Sequence, residues 1–306
     1  MNIDHKLSLL IQNIRESGLE PPKLKISRLG ELTFVAAYSE KPSSILANNV
    51  ASGVDFNPGI ATLKALVEFY ERQSFAYGVD HADPICQRVH SDGVASFPAN
   101  DPSAQLAARG NALHEAVERY VWASWWDNSN IAHKLGPIEQ SQFWGDVKFK
   151  ETVKAFQKYI PLRGMHLVTP LHSSKEQIVL ILFSELKNGG FISGGAAGPT
   201  DKNGETIVRA LAELIRHGLG LQKFSETRAE PSTFYEQRLL YFGLGRGDAL
   251  VNARLNSRGC ETIAVPALEV DSSIIAPPYQ KLVYTHRCLF PNQPPFVDGD
   301  LERLCL

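Results

Sequence analysis

The sequence predicts an α/β fold in which sheets and helices form layers. Three segments follow one order: a short apolar stretch with glycine, a turn rich in Asn, Asp, Pro or Gly, and a run with helical periodicity. They begin at Ala51, Ser91 and Gly194. Strand–turn–helix units repeated along a chain are typical of layered α/β packing. The unequal spacing of the three units excludes a solenoid, whose repeats have a fixed period.

Composition indicates an ordinary folded protein, since hydrophobic residues make up 43% of the 306 residues and charged residues 21%. The formal net charge of -2 argues against a protein whose main role is to bind nucleic acid, because that role needs a basic surplus, although a local basic groove stays open. The longest apolar run, Ile178 to Phe183, is far shorter than the roughly 20 residues of a membrane span. We therefore expect neither a nucleic-acid nor a membrane partner.

The four cysteines, Cys86, Cys260, Cys288 and Cys305, are far apart and form no C-x-x-C pair. This argues against a zinc knuckle or a disulfide framework, and each thiol lacks a visible partner. The nine histidines are scattered, and we interpret each as structural or solvated. The N-terminus lacks the features of a signal peptide, so the expected location is the cytoplasm.

The first elements are a short amphipathic helix over residues 3–18, ended by Gly18, and a strand over residues 31–39. Residues 1–30 are predicted to form an N-terminal helical appendage. Because no low-complexity linker follows, residues 31–306 are predicted to form one compact domain.

Two long helices are predicted at about residues 59–77 and 103–124. Asn57-Pro58 and Asp101-Pro102 each provide a capping side chain followed by a proline at the first helical position. Further helices are predicted at 148–160 and 232–244, and strands at 165–171, 178–186, 262–270 and 281–290. The GLGRG segment at Gly243 is interpreted as a turn.

The two long helices carry the same E-x-x-E-R pattern, Glu68-Glu71-Arg72 on the first and Glu115-Glu118-Arg119 on the second. Residues three apart lie on one helical face, so each pair of carboxylates points the same way. Both helices are apolar around most of their circumference, which predicts that they are largely buried. Buried carboxylates are unfavourable unless a cation compensates them.

Two interpretations remain for these residues. The first is that Glu68–Arg72 and Glu115–Arg119 are ion pairs between residues four apart, worth roughly 0.3–0.5 kcal/mol each. The second is that four carboxylates converge on Mg²⁺, which prefers oxygen ligands and is often completed by substrate phosphates. Alanines beside the glutamates, at 61, 65, 108 and 112, are expected to leave room for a ligand.

The third repeat has Glu213 in the place of Glu68 and Glu115, but Arg216 in the place of the second glutamate. No Walker A sequence is present, so the chain is not a P-loop enzyme. A dinucleotide-binding G-x-G-x-x-G after a strand, H-E-x-x-H, G-x-S-x-G and the protein-kinase motifs are absent as well.

These segments resemble the YcaO family. The resemblance rests on SGVDFNPGIATLKALVEFYER, on HSDGVASFPANDPSAQLAARGNALHEAVERYVWASW and on the later GGAAGPTDKNGETIVRALAELIRH, and it covers roughly residues 30 to 300. The doubled E-x-x-E-R is its most specific feature. The resemblance implies a layered α/β domain that binds ATP and Mg²⁺ without a P-loop.

The resemblance also implies roles for single residues. Glu68, Glu71, Glu115 and Glu118 would be Mg²⁺ ligands. Arg119, Arg72 and Arg209 would contact the phosphates of ATP. Asp92 stands where many members have Asn, and the frequent G-K-G is replaced here by Ser52-Gly53-Val54. No catalytic residue is assigned.

The implied reaction is ATP-dependent phosphorylation of a backbone amide in a ribosomally made precursor peptide, with cyclodehydration of Cys, Ser or Thr to azolines as the principal outcome. Thioamide or amidine formation is one alternative, and a nucleotide-binding scaffold without chemistry is another. The C-terminal segment has Pro291, Pro294 and Pro295 but not the run of alternating prolines found in many azoline-forming members. A separate protein is expected to present the peptide, and a homodimer stays open.

Overall fold

The computed structural model describes residues 2–39, 50–83, 86, 94–227, 230–231, 233–293 and 301–303. The chain divides into two compact units, the first formed by residues 1–113 and 268–289 and the second by residues 114–267 and 290–306. Helix α1 (Ile3–Glu16) begins the first unit, and the Asn2 side chain accepts a hydrogen bond from the His5 amide to cap it. Leu10 and Ile14 form its buried face, as the amphipathic pattern predicts.

Three antiparallel strands follow, β1 (Lys23–Leu29), β2 (Leu32–Tyr38) and β3 (Val50–Asp55), paired in the order β1-β2-β3. The predicted strand at 31–39 is confirmed as β2. Helix α2 (Pro58–Asp80) begins after Asn57, whose side chain accepts from the amides of Gly59 and Ile60. The local capping chemistry therefore starts this helix where the sequence predicts it.

Helix α2 packs closely on β3 because small residues line the contact. A side chain at Gly53 would collide with the Ala61 carbonyl oxygen and the Ala65 amide, and both alanines are fully buried. The expectation that Ala61 and Ala65 leave room for a ligand is therefore wrong. The space that they leave is occupied by the backbone of β3.

A second sheet of the first unit has the order β4-β10-β9, formed by β4 (Val94–Ser96), β9 (Val270–Ile274) and β10 (Tyr284–Leu289). The strand predicted at 281–290 is thereby confirmed as β10. Helix α3 (Pro102–Asp127) begins after Asp101, whose carboxylate accepts from the Ser103 amide. The α3 residues up to Leu113 belong to the first unit and the rest to the second.

The second unit contains a four-stranded antiparallel sheet in the order β5-β6-β7-β8. Its strands are β5 (His133–Pro137), β6 (Leu162–Pro170), β7 (Gln177–Leu186) and β8 (Phe191–Pro199). Its helices besides the second half of α3 are α4 (Val147–Tyr159), α5 (Asn203–Thr227), α6 (Phe234–Gly243) and α7 (Asp248–Leu255). The predicted strands at 165–171 and 178–186 and the predicted helices at 148–160 and 232–244 are confirmed.

Helix α5 packs on β8 in the same way as α2 packs on β3, with a strand glycine at the contact. A side chain at Gly194 would collide with the Ala210 carbonyl oxygen and the Leu214 amide. Ala210 and Leu214 are fully buried. Two repeats therefore use a strand glycine to bring the helix backbone close.

The strand predicted at 262–270 is wrong. Ile263 makes only an isolated bridge to His172, and regular strand structure begins at Val270. Pro266 lies between them and has no amide hydrogen to donate to a neighbouring strand. In the part of the chain that the structure describes, no helix has the length and apolar character that crossing a bilayer requires.

Candidate functional site

The structure confirms the three strand–turn–helix repeats as β3–α2, β4–α3 and β8–α5. In each of the three sheets that the described residues form, the strand that belongs to the repeat lies at a sheet edge. An edge strand presents backbone amides and carbonyls that its own sheet does not satisfy. Five side chains of the repeats bond to the backbone of these strands: Glu68, Glu71, Arg72, Glu118 and Arg209.

The first motif contacts β3 through Glu68 and Arg72. Glu68 Oε2 accepts a hydrogen bond from the Ser52 amide at 3.1 Å. Glu68 Oε1 pairs with Arg72 Nη2 at 2.5 Å, and Arg72 Nη1 donates to the Val50 carbonyl oxygen at 2.8 Å. The predicted ion pair between residues four apart is thus present, and it is bound to the edge of β3.

Glu71, one turn further along α2, bonds a different strand. Its Oε2 accepts from the Ala95 amide in β4 at 2.9 Å. The two glutamates of the first motif therefore hold the strands of two successive repeats.

The second motif contains the more deeply buried carboxylate. Glu118 is 8% exposed, and its Oε2 accepts from the Ala197 amide in β8 at 3.2 Å. Arg209, on α5, donates from Nη1 to the carbonyl oxygen of Ala197 at 3.1 Å. Glu115 pairs with Arg119 at 2.5 Å, with 25% and 10% of their side chains exposed. One residue of β8 thus receives both a carboxylate and a guanidinium.

The pKa of Glu118 is raised to about 8. Burial is the largest cause, and the negative charges of Glu213 and then Glu115 add to it, while Arg209 and Arg119 lower the pKa. The sequence predicts that crowding raises the pKa of at least one of the four motif carboxyls. Glu118 confirms the raised pKa, although desolvation outweighs crowding as its cause.

Glu213 lies in this group, although it is not among the four Mg²⁺ ligands predicted from the sequence. Among the neighbouring charges that raise the Glu118 pKa, Glu213 has the largest effect, and its carboxylate pairs with Arg216. The signal that identifies it is the internal repeat, because Glu213 occupies the position of Glu68 and Glu115. The second unit therefore gathers three carboxylates, Glu115, Glu118 and Glu213, rather than two.

His114 lies next to this group on α3. Burial and then the positive charge of Arg209 lower the pKa of its imidazole. The lowered pKa favours the neutral imidazole, which adds no positive charge beside Arg209.

Several predictions about the site stay untested. The first is that all four glutamates converge on shared ions. Glu68 and Glu71 belong to the first unit and Glu115 and Glu118 to the second, so this remains a prediction. Asp92 and Gly93, which precede β4, lie outside the described residues. The metal-ligand and phosphate-contact roles of the named residues likewise remain predictions at this point.

No protein-family model and no curated protein matches the chain. Its fold is similar to the structure of YcaO from Methanopyrus kandleri bound with AMPPCP and Mg²⁺, with a TM-score of 0.57 and 13% identity over 97% of this chain and 92% of that one. It is also similar to a chain of the E. coli microcin synthetase McbBCD complex, with a TM-score of 0.59 and 11% identity over 89% of this chain and 88% of that one. The layered α/β architecture predicted from the sequence is therefore confirmed, and the chain has the YcaO fold.

Proposed function

We propose that this chain is a Mg²⁺- and ATP-dependent enzyme that activates a backbone amide of a ribosomally made precursor peptide. The doubled E-x-x-E-R motif carries the proposal, because it lies on the helices of a fold shared with a YcaO whose structure contains AMPPCP and Mg²⁺. Cyclodehydration of Cys, Ser or Thr to azolines is the proposed outcome. The microcin synthetase likeness supports the same class of peptide chemistry.

The proposed Mg²⁺ ligands are Glu68, Glu71, Glu115 and Glu118. Carboxylate oxygens are the donors that Mg²⁺ prefers, and the ion usually keeps waters and binds substrate phosphates as well. The raised pKa of Glu118 fits this role, since a buried carboxyl group without a cation retains its proton near neutral pH. A divalent cation favours the ionised form and offsets the repulsion from Glu213 and Glu115.

Arg119, Arg72 and Arg209 are the proposed phosphate contacts. A guanidinium presents several donors in a fork that matches phosphate oxygens. Arg209 has the best support, because it is exposed and lies close enough to Glu118 to lower the pKa of that carboxyl. Arg119 is held by Glu115 and Arg72 by Glu68, so both guanidinium groups are fixed in orientation.

When bound, ATP supplies the phosphoryl group that makes the amide oxygen a leaving group. The residues of this chain act by charge and position. Glu118 gives up its proton to solvent as the cation binds, and Arg209 and Arg119 balance the phosphate charge. The Cys, Ser or Thr nucleophile that adds to the amide carbon belongs to the peptide, and the net change in the peptide is the loss of one water.

Two other outcomes use the same amide activation. External sulfide would give a thioamide, and an amine would give an amidine. A nucleotide-binding scaffold without chemistry is the remaining alternative. We also propose that a separate protein presents the peptide, which the membership of one similar chain in a multi-subunit complex supports.

The test is ATP turnover by the purified chain with Mg²⁺, measured with and without a Cys/Ser/Thr-rich peptide encoded beside its gene. The proposal predicts peptide-dependent turnover and a peptide lighter by one water. Oxygen-for-sulfur exchange would redirect the proposal to thioamides. Nucleotide binding without turnover, in the presence of the peptide and of its encoded partner proteins, would favour the scaffold.

A further inference from the structure

The first unit holds a second group of ligand-type side chains on β9 and β10, formed by Asp271, His286 and Cys288. One donor atom from each lies within 4.8 Å of the others. Cys288 is paired opposite Asp271 in the antiparallel ladder, and His286 is two residues before Cys288. Alternate residues of a strand share a face, so the register brings all three side chains together.

The three donor atoms centre on one oxygen of Asp271. His286 Nε2 lies 2.7 Å from Asp271 Oδ1, and Cys288 Sγ lies 3.9 Å from the same oxygen. Ligands of a tetrahedral zinc ion at ordinary bond lengths are about 3.3–3.7 Å apart. The nitrogen and oxygen, 2.7 Å apart, would have to separate by about 0.6 Å, and the most distant pair of donors, up to 4.8 Å apart, would have to approach by as much as about 1.1 Å.

Two side chains of the cluster are buried and the third is partly exposed. His286 is 5% exposed and Cys288 1%, whereas 27% of the Asp271 side chain is exposed. An ion therefore has a route to the buried nitrogen and sulfur from the side of the carboxylate. The exposed side also leaves a position for water.

Two neighbours hold the donors in orientation. Arg109, on α3, pairs with Asp271 Oδ2 through Nη2, while Nε lies 3.0 Å from Oδ1. The Tyr284 hydroxyl lies 3.1 Å from His286 Nδ1, the ring nitrogen that does not face Asp271. Partners of this kind fix the ring and the carboxylate around a metal ion.

We propose that Asp271, His286 and Cys288 bind one divalent transition-metal ion of the zinc class. The ligands are Asp271 Oδ1, His286 Nε2 and the Cys288 thiolate, and water takes the fourth position. A mixed sulfur, nitrogen and oxygen set suits zinc and disfavours Mg²⁺, which prefers oxygen alone. The thiol proton passes to solvent when the ion binds.

A metal-free nucleophilic cysteine does not fit this cluster. Burial, and then the charge of Asp271, raise the pKa of the Cys288 thiol to about 12. The thiol therefore stays protonated and is a poor nucleophile without a metal. This group also contradicts the expectation that the thiols lack a partner.

The experiment is a titration of the full chain, purified without metal, with Co²⁺ and then Zn²⁺. Cobalt bound to a thiolate gives a near-ultraviolet charge-transfer band. We expect the wild type to develop this band at one equivalent and to lose it when Zn²⁺ is added. Cys288→Ser should abolish it, whereas Cys260→Ser, which removes an exposed free cysteine, should retain it.

Cys288 is buried, so Cys288→Ser alone could lose the band through misfolding. Two further variants, at the partly exposed ligand Asp271 and at Tyr284 beside His286, therefore test the site independently. Asp271→Asn should weaken Co²⁺ binding at least tenfold, and Tyr284→Phe should weaken it by roughly 10–100-fold. Circular dichroism checks that each variant is folded. Absence of the band in the wild type, its persistence in Cys288→Ser, or unchanged affinity in Asp271→Asn would overturn the proposal. None of these results depends on ATP or peptide, so the proposed enzymatic function is tested separately.

Discussion

Helices α2 and α3 carry the same E-x-x-E-R motif, but different arginines make the corresponding contacts in the two units. On α2, Arg72 pairs with the first glutamate of its motif and also donates to the Val50 carbonyl oxygen. In the second unit, the ion pair and the bond to the strand carbonyl are made by two different arginines. Arg119 pairs with the first glutamate, and Arg209 from α5 donates to the carbonyl oxygen of Ala197. A repeated sequence pattern therefore does not guarantee repeated contacts.

The second glutamate is used in the same way by both helices. Glu71 on α2 accepts from Ala95 in the strand of the second repeat, and Glu118 on α3 accepts from Ala197 in the strand of the third. Each thus links its helix to the following repeat. Helix α5 belongs to the last repeat, and Arg216 occupies the corresponding position. The third motif thus lacks this glutamate in the one repeat that no further repeat follows.

Neutralising Glu118 should produce the largest effect on activity. Glu118→Gln keeps the shape and can still accept from the Ala197 amide, but it removes the negative charge of a proposed Mg²⁺ ligand. We expect peptide-dependent ATP turnover to fall by roughly 10²-fold or more while the fold persists. The control is Glu139→Gln, an exposed glutamate in a short 3₁₀ turn, which should be nearly silent. Equal turnover in the two variants would mean that the motif is structural only.

Alanine at the same position separates structure from chemistry. Glu118→Ala leaves the amide of Ala197 without its acceptor, which should lower the free energy of unfolding by about 1–3 kcal/mol. Glu118→Gln should lower it by less. Denaturant unfolding of both variants measures the difference. Identical losses would show that the hydrogen bond from β8 contributes nothing.

The pH dependence of stability distinguishes the buried Glu118 from the more exposed first glutamates. Its folded-state pKa of about 8 is above the ordinary value of 4.5, so folding favours the protonated form. The wild type should therefore lose stability relative to Glu118→Gln as the pH rises from about 5 to 8, by up to about 1.4 kcal/mol per pH unit. The measurement is the free energy of unfolding of both proteins at several pH values, without divalent cations. A constant difference between wild type and Glu118→Gln across this pH range would show that the pKa of Glu118 is not raised.

The smallest effect is expected from the exposed ion pair. Arg72 and Glu68 have 29% and 25% of their side chains exposed, and pairs of this kind contribute roughly 0.3–0.5 kcal/mol. Arg72→Met also loses the bond to the edge of β3, so we expect a total loss below about 1.5 kcal/mol. A larger loss, measured by thermal unfolding, would indicate that the edge contact is essential to the first sheet.

Local signals predicted the helices well. Asn57-Pro58 and Asp101-Pro102 start α2 and α3 at the expected positions, because capping depends only on neighbouring residues. Strand β1 was missed within the segment predicted to be a helical appendage. Six of its seven residues are exposed, so it lacks the buried face that makes a strand visible in sequence.

The repeat identifies the motif residues, but it does not predict the contacts that they make. The glutamates are visible as a repeat, but the bond between Glu118 and Ala197 joins residues 79 positions apart. The cluster on β9 and β10 was missed for the same reason. His286 and Cys288 have the spacing of one strand face, yet Asp271 joins them only through the register of another strand.

The central claim is that the E-x-x-E-R carboxylates bind the cation that accompanies ATP. Titration with Mn²⁺ in place of Mg²⁺, in the presence of AMPPCP and followed by the loss of free Mn²⁺ signal in electron paramagnetic resonance, tests it most directly. The wild type and Glu139→Gln should bind Mn²⁺ with equal affinity, and Glu71→Gln and Glu118→Gln should each bind it at least tenfold more weakly. Equal affinity in all four proteins would contradict the claim.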